Sequence, residues 1–414
     1  MKTKINFLTL LIFAHIALFA QEIKISGESG DYIISIARQF EVDKGGTLSI
    51  SRMNADVKVD THDNPFVVIR ESIESEALTR EEAQRIAQET IENYEQNGSN
   101  ISIQDKRRGF QGDRKLDVTV PETFNVNCQL TEGDLSASGL KGNVSIQTAN
   151  GDVNLSNIAG SVDLQTASGD VKLDEISGSV RAQTAVGNVE LQGIYADARI
   201  NSAGGDMRVK NIKGQLKVNT AGGDIDISDV ENDLNASTAG GDITATHIKG
   251  RAGLSTMGGT IHLQHISGEV TADSKGGSIQ GNDIGSRIRA HTLGGIISLQ
   301  DVRGPVDAKT MGGDVEVEMT LQDFKKPHAI DLETMGGNIT LSLPEKLPAT
   351  IRAEIRIDPG QNMFKRFDIY SDFPLSKSSP DEFSRSLTST GEINGGGDPI
   401  EMKANGGNIT IKKR

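Results

Sequence analysis

Aspartate recurs at one fixed interval along the middle of this 414-residue chain, each time directly after a glycine. If successive repeats stack about 4.8 Å apart as β-strands, such carboxylates repel one another unless each accepts N–H groups or a cation lies between them. The pattern favours carboxylates that cap turns, and calcium held by the consecutive Asp206, Asp224 and Asp242 is the alternative. The full column is Asp152, Asp170, Asp206, Asp224, Asp242 and Asp314, with Asn188 and Asn338 at equivalent positions.

A second polar column stands just before an apolar residue of each repeat, and it contains histidine. Its members in the later repeats are Asp229, His247, His265, Asp283 and Asp301. Imidazoles on adjacent repeats, with carboxylates before and after them, suit a transition metal, so His247 and His265 are candidate metal ligands. The earlier repeats place Asn157, Glu175 and Asn211 in the same column, which favours an ordinary polar turn position. No other cofactor is predicted.

A third column is threonine or serine, followed by a residue that changes along the chain. Strand alternation from Val162 and Leu164 predicts that Thr166 points inward, so the next residue should point outward. An outward apolar strip is typical of a partner surface, whereas a bulge would turn the same residues into the core. The residue after threonine is alanine in early repeats and Met257, Leu293, Met311 and Met335 in later ones.

These columns all belong to one repeated unit. Glycine falls at every eighteenth position from 133 to 313, and the apolar columns headed by Val153 and Ile158 keep the same interval. Alternation with a period of two on either side of the glycine indicates two short strands and two turns per repeat. No apolar set recurs at helical spacing, which excludes helical repeats. The sequence predicts an all-β, single-chain parallel β-solenoid, or β-helix, over residues 131–344, with one coil per repeat.

So short a coil encloses only a thin interior, and the composition agrees with this. Tyr195 is the only Phe, Tyr or Trp between residues 131 and 320. The repeats in that range carry essentially no insertions, so no loops are available to wall a cleft. No spacing is typical of a nucleophile triad, a pair of catalytic carboxylates or a phosphate-binding loop. We therefore expect no enzyme activity and predict no catalytic residues.

The segment before the repeats is interpreted as a leader and a cap. Residues 1–20 contain two lysines, an apolar run and a final small residue, which is the layout of a signal peptide. Residues 21–130 are predicted to form an irregular N-terminal cap with one helix, about 79–97, begun by a capping box of Thr79 and Glu82 and ended by Gly98. We expect this helix to cover the open first coil, because an unpaired strand edge needs protection.

The segment after the repeats is interpreted as a second cap. An insertion of six residues within 321–328 interrupts the period first. Residues 345–414 then break the period, regain aromatic residues and include a serine-rich stretch around 376–386. They are predicted to form a C-terminal cap with a mobile loop, closed by a final repeat strand that ends at Ile411.

Charge and cysteine content exclude several classes of protein. The formal net charge is −14, without a basic patch, which argues against nucleic acid as a partner. No second apolar run approaches membrane length, so no membrane span is expected in the mature chain. The single Cys128 rules out a disulfide-stapled fold, and its place in an alternating apolar strand predicts a small buried residue.

Several motifs together resemble the bacterial putative adhesin family. They are the tandem Gly-Gly-Asp-Ile turns, the strand that ends at Pro121, the early helix and the glycine-rich ending from Asn394 to Ile411. The resemblance covers residues 45–414 or nearly so, and it implies a β-solenoid found in exported and membrane proteins, with no catalytic residues to carry over.

The functional expectation follows from the uniform coils and the leader. We expect a non-enzymatic, exported, adhesin-like solenoid that acts as an interaction or structural module of the bacterial envelope, in the periplasm or at the cell surface. Its expected partner is an envelope or extracellular protein or glycan. A calcium- or carbohydrate-binding module is the alternative function.

Overall fold

The computed structural model describes residues 21–43, 45–106, 113–356, 367–378 and 386–414. The predicted signal peptide and residues 379–385 of the predicted mobile loop lie outside the described residues. Within them, the chain forms two long sheets of 19 strands each and a single helix, which confirms the all-β solenoid.

The strands alternate between the two sheets along most of the chain. The N-terminal region comprises β1 (Gln21–Glu28), β2 (Asp31–Glu41), β3 (Thr47–Asn54), β4 (Asp56–His62), β5 (Phe66–Ser75), α1 (Arg80–Ile91), β6 (Tyr94–Asn97), β7 (Asn100–Gln104), β8 (Arg114–Pro121) and β9 (Asn125–Glu132). The regular stack continues with β10 (Leu135–Ser138), β11 (Val144–Asn150), β12 (Val153–Ile158), β13 (Val162–Ser168), β14 (Val171–Ile176), β15 (Val180–Val186), β16 (Val189–Ile194), β17 (Ala198–Ser202), β18 (Met207–Ile212), β19 (Leu216–Asn219), β20 (Ile225–Val230), β21 (Leu234–Thr238), β22 (Ile243–Ile248), β23 (Ala252–Thr256), β24 (Ile261–Ile266), β25 (Val270–Ser274), β26 (Ile279–Ile284), β27 (Ile288–Thr292), β28 (Ile297–Val302), β29 (Val306–Thr310), β30 (Val315–Met319), β31 (Ile330–Thr334) and β32 (Ile339–Leu343). The C-terminal region comprises β33 (Ala349–Arg356), β34 (Ile369–Ser371), β35 (Ser376–Lys377), β36 (Ser386–Ile393), β37 (Asp398–Asn405) and β38 (Ile409–Lys413).

Each coil contributes one strand to each sheet, and neighbouring coils pair in parallel and in register. Val153 of β12 lies beside Val171 of β14, for example, and Leu155 lies beside Leu173. Because the repeat length is constant from β11 to β28, residues there lie beside their counterparts in the next coil. A column in the sequence is therefore a ladder along the solenoid, and like residues stack on like.

The core lies between the two sheets and consists of aliphatic ladders. Ile158, Leu164 and Ile227 are completely buried, as are most of their counterparts. Burial of each such side chain is worth about 1.5–3 kcal/mol, repeated in every coil. Threonine points inward as predicted: Thr238 and Thr256 are buried, and their hydroxyl groups donate to the carbonyl oxygens of Gly223 and Gly241, each at 3.0 Å.

The two turns of a coil impose different residue types. At the first turn, a Cβ on Gly223 would lie 1.9 Å from the carbonyl oxygen of Gly205 in the preceding coil, so only glycine fits. At the second turn, the polar column that includes Asn157, His247 and His265 adopts φ of about +56°. Asparagine and aspartate tolerate this left-handed conformation best, which explains the polar character of that column.

The stack begins earlier in the chain than the predicted boundary at residue 131. Strands β3 and β4 form a coil of their own, because β3 pairs in parallel with β9 and β4 pairs in parallel with β10. The chain then forms β5, α1 and β6, adds β7 and β8 in parallel to the other edges of β3 and β4, and only afterwards continues into β9. This coil carries no Gly-Asp phrase, and the long excursion separates it from the next repeat, so the sequence period did not reveal it.

The helix is shorter than predicted and covers a different surface. It begins as expected, since the Thr79 hydroxyl accepts from the N–H of Glu82 at 3.2 Å. It ends at Ile91 and not near Gly98, because Tyr94 starts a hairpin strand in which Gly98 occupies the turn at φ +59°. The helix packs on β1 and β2, and the open edges of the first coil are extended by β7 and β8 instead.

The C-terminal end repeats this arrangement. Strands β37 and β38 form the last coil of the sequence, which pairs in parallel with β31 and β32 on one side and with β33 and β34 on the other. The repeated phrase at Asn405–Asn408 therefore stacks on the one at Thr334–Asn338, with the N–H of Asn408 donating to Oδ1 of Asn338 at 3.0 Å. The predicted insertion lies between β30 and β31.

Candidate functional site

From Asp152 to Asp242, the aspartate column forms a continuous hydrogen-bonded ladder on one edge of the solenoid. Oδ1 of Asp206 accepts the N–H of Asp224 at 3.0 Å, and Oδ1 of Asp224 accepts the N–H of Asp242 at 2.8 Å. Asn188 plays the same part toward Asp206 at 3.0 Å. Each carboxylate thus caps the turn of the following coil, which is the favoured of the two predicted roles.

The ladder borders a shallow groove in which both charge signs occur. Outward strand residues line its other side, among them Lys172, Glu190 and Arg208. Nζ of Lys172 lies 3.6 Å from Oε2 of Glu190 in the next coil. The candidate calcium ligands Asp206, Asp224 and Asp242 therefore present one oxygen each to backbone N–H groups, and basic side chains share their surroundings.

The histidine column places aromatic rings and carboxylates in one row along a corner of the solenoid. The rings of His247 and His265 are stacked, with centroids 4.8 Å apart and planes inclined by 10°. His265 donates through Nδ1 to Oδ2 of Asp283 at 2.6 Å, and Nδ1 of His247 lies 3.6 Å from Oδ1 of Asp229. The hydrogen bond from His265 holds the pKa of Asp283 below its usual value, and Arg303 adds to this effect.

This row does not converge on a single point in space. The lone pairs of imidazole nitrogens lie in the ring plane, so two parallel stacked rings direct them side by side and not toward one ion. Among the described residues, no group of three or more His, Cys, Asp or Glu side chains is arranged to hold a metal. His247 and His265 are neighbours as predicted, in a stacked arrangement with flanking carboxylates.

A groove beside the histidine row was not predicted, and its most unusual member is Tyr195. We call it the corner groove; it has a volume of about 580 Å³. Tyr195 is half exposed, and its hydroxyl donates to Oε2 of Glu175 at 2.7 Å. This hydrogen bond raises the pKa of Tyr195 above its usual value. The groove is lined by Glu175, Gly193, Tyr195, Asn211, Ile212, Lys213, Asp229, Val230, Glu231, His247, Ile248, Lys249, His265 and Ser267.

One wall of the corner groove is an alternating row of charges. Nζ of Lys213 lies 2.7 Å from Oε1 of Glu231, and Nζ of Lys249 lies 3.5 Å from the same oxygen. The hydrogen bond from Lys213 lowers the pKa of Glu231 and raises that of Lys213. The feature of the sequence that could have indicated this groove is Tyr195, the lone aromatic residue of the repeats. Periodicity alone does not assign it a role, because no other coil has an aromatic residue at that position.

The apolar strip predicted after the threonine column is exposed. Met257, Leu293, Met311 and Met335 are each between 47% and 60% exposed, so no bulge turns them into the core. Ile296, in the same turn as Leu293, is also half exposed. Lys275 occupies the same column between Met257 and Leu293 and interrupts the strip.

Two buried polar features lie away from these surfaces. Cys128 is buried, and burial raises the pKa of its thiol to about 12, so it is an inert packing residue as predicted. In the N-terminal region, the fully buried Glu71 accepts from both Arg114 and Tyr94, and Nη1 of Arg114 donates to Asp105 at 2.7 Å. This network ties together β5, β6 and β8, and the sequence did not predict it.

Within the described residues, no helix is both long enough and apolar enough to cross a membrane.

Comparison with known proteins gives a family and distant structural likenesses. No curated protein matches the sequence. A putative adhesin from Parabacteroides distasonis is 12% identical, with 69% of this chain and 97% of that chain covered and a TM-score of 0.24. A putative adhesin from Bacteroides fragilis is 14% identical, with 68% and 96% covered and a TM-score of 0.23. A putative cell adhesion protein from Clostridium sporogenes is 8% identical, with 95% and 99% covered and a TM-score of 0.15. Similarity at this level says nothing about function.

The family assignment rests on the sequence itself. The model of the family described as Toastrack DUF4097 matches residues 46–247 and again residues 213–412, and the two matches overlap within the periodic stack. Together the two matches run from β3 to β38 and overlap at residues 213–247. Because the matches extend over most of the sequence, the chain belongs to the Toastrack DUF4097 family.

Proposed function

We propose that this chain is a non-enzymatic, exported interaction module of the bacterial envelope, which binds an envelope or extracellular protein or glycan through the outward faces of its coils. The observation that carries the proposal is that inward and outward positions of each coil are under different constraints. Inward positions and turn positions are constrained by stacking, whereas outward positions depart from the repeat at particular coils. Tyr195 and the strip around Leu293 are such departures, and both are exposed.

The geometry also supports the absence of catalysis in this proposal. The grooves on the regular coils are shallow, and the acidic groups within them are paired with N–H groups or with basic side chains. A general acid or base needs a group free to exchange a proton with a bound substrate. Oδ1 of the ladder aspartates and Oε1 of Glu231 are already engaged by N–H groups and by lysine side chains.

Protease shaving of intact cells, followed by detection of the C-terminal cap with an antibody, tests the location. Loss of the signal on intact cells supports a surface module with an extracellular partner. Protection until the envelope is opened supports a periplasmic module. Recovery of the protein only from the cytosol contradicts export and with it the proposed function.

Calcium binding by the aspartate ladder is the alternative that remains to be tested. A rise in melting temperature with calcium but not with magnesium would favour it, because a protein is stabilised by whatever binds its folded state. The hydrogen bonds of the ladder predict an unchanged melting curve with either ion.

A further inference from the structure

We propose that the corner groove binds a neutral oligosaccharide of pyranose rings, with Tyr195 as the platform for one ring. This inference rests on the proposed function and names the ligand class of the interaction module. The volume of about 580 Å³ lies within the range of small-molecule sites and accommodates a short oligosaccharide.

Tyr195 supplies the flat apolar surface that such a ligand requires. One face of a pyranose ring presents C–H groups, which pack on an aromatic ring while the hydroxyl groups project to the sides. Aromatic side chains with a polar tip suit surfaces that contact both apolar and polar groups of a partner. Tyr195 is half exposed, so its ring is accessible to a ligand in the groove.

The tyrosine is held in place from the preceding coil. Glu175 reaches past Gly193 to accept the hydrogen bond from the Tyr195 hydroxyl. A Cβ at position 193 would lie 2.4 Å from Oε1 of Glu175, so the glycine leaves open the space that the carboxylate occupies. A platform fixed before binding loses little conformational entropy when the ligand arrives.

Along the groove, the walls carry both donors and acceptors of hydrogen bonds. Asn211 and Asp229 stand on one wall, and Lys213, Glu231 and Lys249 stand on the other. A sugar hydroxyl donates one hydrogen bond and accepts others, so it is satisfied between an ammonium group and a carboxylate. The coils repeat about every 4.8 Å, which is comparable with the length of one ring in a linear glycan.

The balance of charge in the groove favours a neutral ligand. Its lining contains three carboxylates, on Glu175, Asp229 and Glu231, and two ammonium groups, on Lys213 and Lys249. Glu231 is already shared by both lysines. A polyanion would meet the carboxylates and a polycation would meet the ammonium groups, whereas neutral hydroxyl groups are compatible with both.

Titration calorimetry with the full chain tests the site directly. The probes are the tetrasaccharides of β-1,4-linked glucose, β-1,4-linked N-acetylglucosamine, β-1,4-linked mannose and α-1,4-linked glucose. We expect at least one to bind in the millimolar range or tighter, and Tyr195→Ala to weaken that binding by about tenfold or more. Tyr195→Phe keeps the ring and should retain most of the affinity. Tyr370→Ala, which removes another exposed tyrosine, is the matched control and should bind as the wild type does.

Tyrosine fluorescence locates the ligand, because the chain contains four tyrosines and no tryptophan. A change in emission on binding that persists in Tyr370→Phe and disappears in Tyr195→Phe supports contact at the platform. Absence of binding to all four probes, or equal binding by Tyr195→Ala, overturns the proposal.

Binding of the labelled full chain to isolated envelope fragments separates this inference from the proposed function. Loss of binding after periodate treatment, which cleaves sugar diols, together with loss in Tyr195→Ala, supports the glycan site. Internal β-1,4-linked N-acetylglucosamine has no vicinal diol and resists periodate, so a second sample is treated with lysozyme, which cleaves such chains. Binding that survives both periodate and lysozyme but not protease treatment of the fragments overturns the glycan and leaves the interaction module in place. No binding to untreated fragments counts against the proposed function itself.

Discussion

Removal of three whole coils should shorten the protein without unfolding it. Deletion of residues 172–225, called here the in-register deletion, joins Val171 to Asp226. Asp226 then occupies the outward position of Lys172, and Ile227 occupies the inward position of Leu173. Every ladder is restored across the junction, because each coil contacts only its neighbours. The stack should become about 14 Å shorter, since three coils are lost at about 4.8 Å each.

A deletion that is shorter by a single position, called the out-of-register deletion, provides the matched control. Removal of residues 173–225 leaves Lys172 in place, so Asp226 falls on the inward position next to Leu155 in the preceding coil. A shift by a single position in a strand exchanges its two faces. The cost is about 3–5 kcal/mol if the charge stays buried without a partner. If the strand bulges to expel it, the local ladder hydrogen bonds are lost instead.

Small-angle scattering and urea denaturation followed by circular dichroism distinguish these outcomes. We expect the in-register deletion to retain a cooperative transition with a midpoint near that of the wild type and a reduced maximum dimension. The out-of-register deletion should unfold at clearly lower urea concentration. Complete unfolding of the in-register deletion, or identical midpoints for the two variants, would refute the reasoning that contacts between neighbouring coils alone sustain the fold.

Three further substitutions test individual contacts. Asp224→Ala removes the acceptor of the Asp242 N–H and should cost about 1 kcal/mol, whereas Asp224→Asn keeps an amide acceptor and should cost little; equal losses in urea denaturation would contradict the capping role. Glu71→Gln removes one of the two carboxylates that pair with Arg114, with Asp105 left as the other, and should cost about 1.5–3 kcal/mol; a melting temperature within a degree of the wild type would show that the charge of Glu71 is dispensable. Cys128 should resist thiol reagents at pH 8 until the protein is unfolded, since its pKa is raised to about 12. Its contribution to stability is complete below the unfolded pKa of about 8.5 and is lost as the pH rises toward 12, so Cys128→Ala should flatten that alkaline decline.

The solenoid was predictable because its contacts repeat with the sequence. A constant interval brings Val153 beside Val171 and Asp206 beside Asp224, so a list of columns is already a list of contacts. The inward threonines and the outward methionines followed from the same alternation. The turn-capping role of the aspartates followed from electrostatics, because stacked carboxylates at this spacing require donors.

The ends of the stack were not predictable by this route. The coil Thr47–His62 pairs with β7 and β8 on one side and with β9 and β10 on the other, and all four strands lie far from it in the sequence. Its strands pair by backbone hydrogen bonds that need no shared motif. The end of the helix was missed because Tyr94 continues the apolar helical stripe and also fits a strand. Its buried hydrogen bond to Glu71 ties the strand to β5 and favours this outcome over the local pattern.

The corner groove shows why the binding surface of a solenoid is harder to predict than its fold. Periodicity identifies the residues that stacking of the coils requires. A binding site is formed by the residues that depart from the repeat. Gly193 is unusual in a column of polar side chains, and Tyr195 is unusual in a sequence region without other aromatic residues, yet neither points to a site alone. The structure joins them, because the missing side chain at Gly193 lets Glu175 reach the hydroxyl of Tyr195. Exchange of Gly193 for alanine should therefore release the ring as well as strain the turn, since φ is +68° there. The affinity of the Gly193→Ala variant for the glycan should then fall even if the variant is fully folded. Unchanged affinity in a folded variant would show that the Tyr195 ring does not need the hydrogen bond to Glu175.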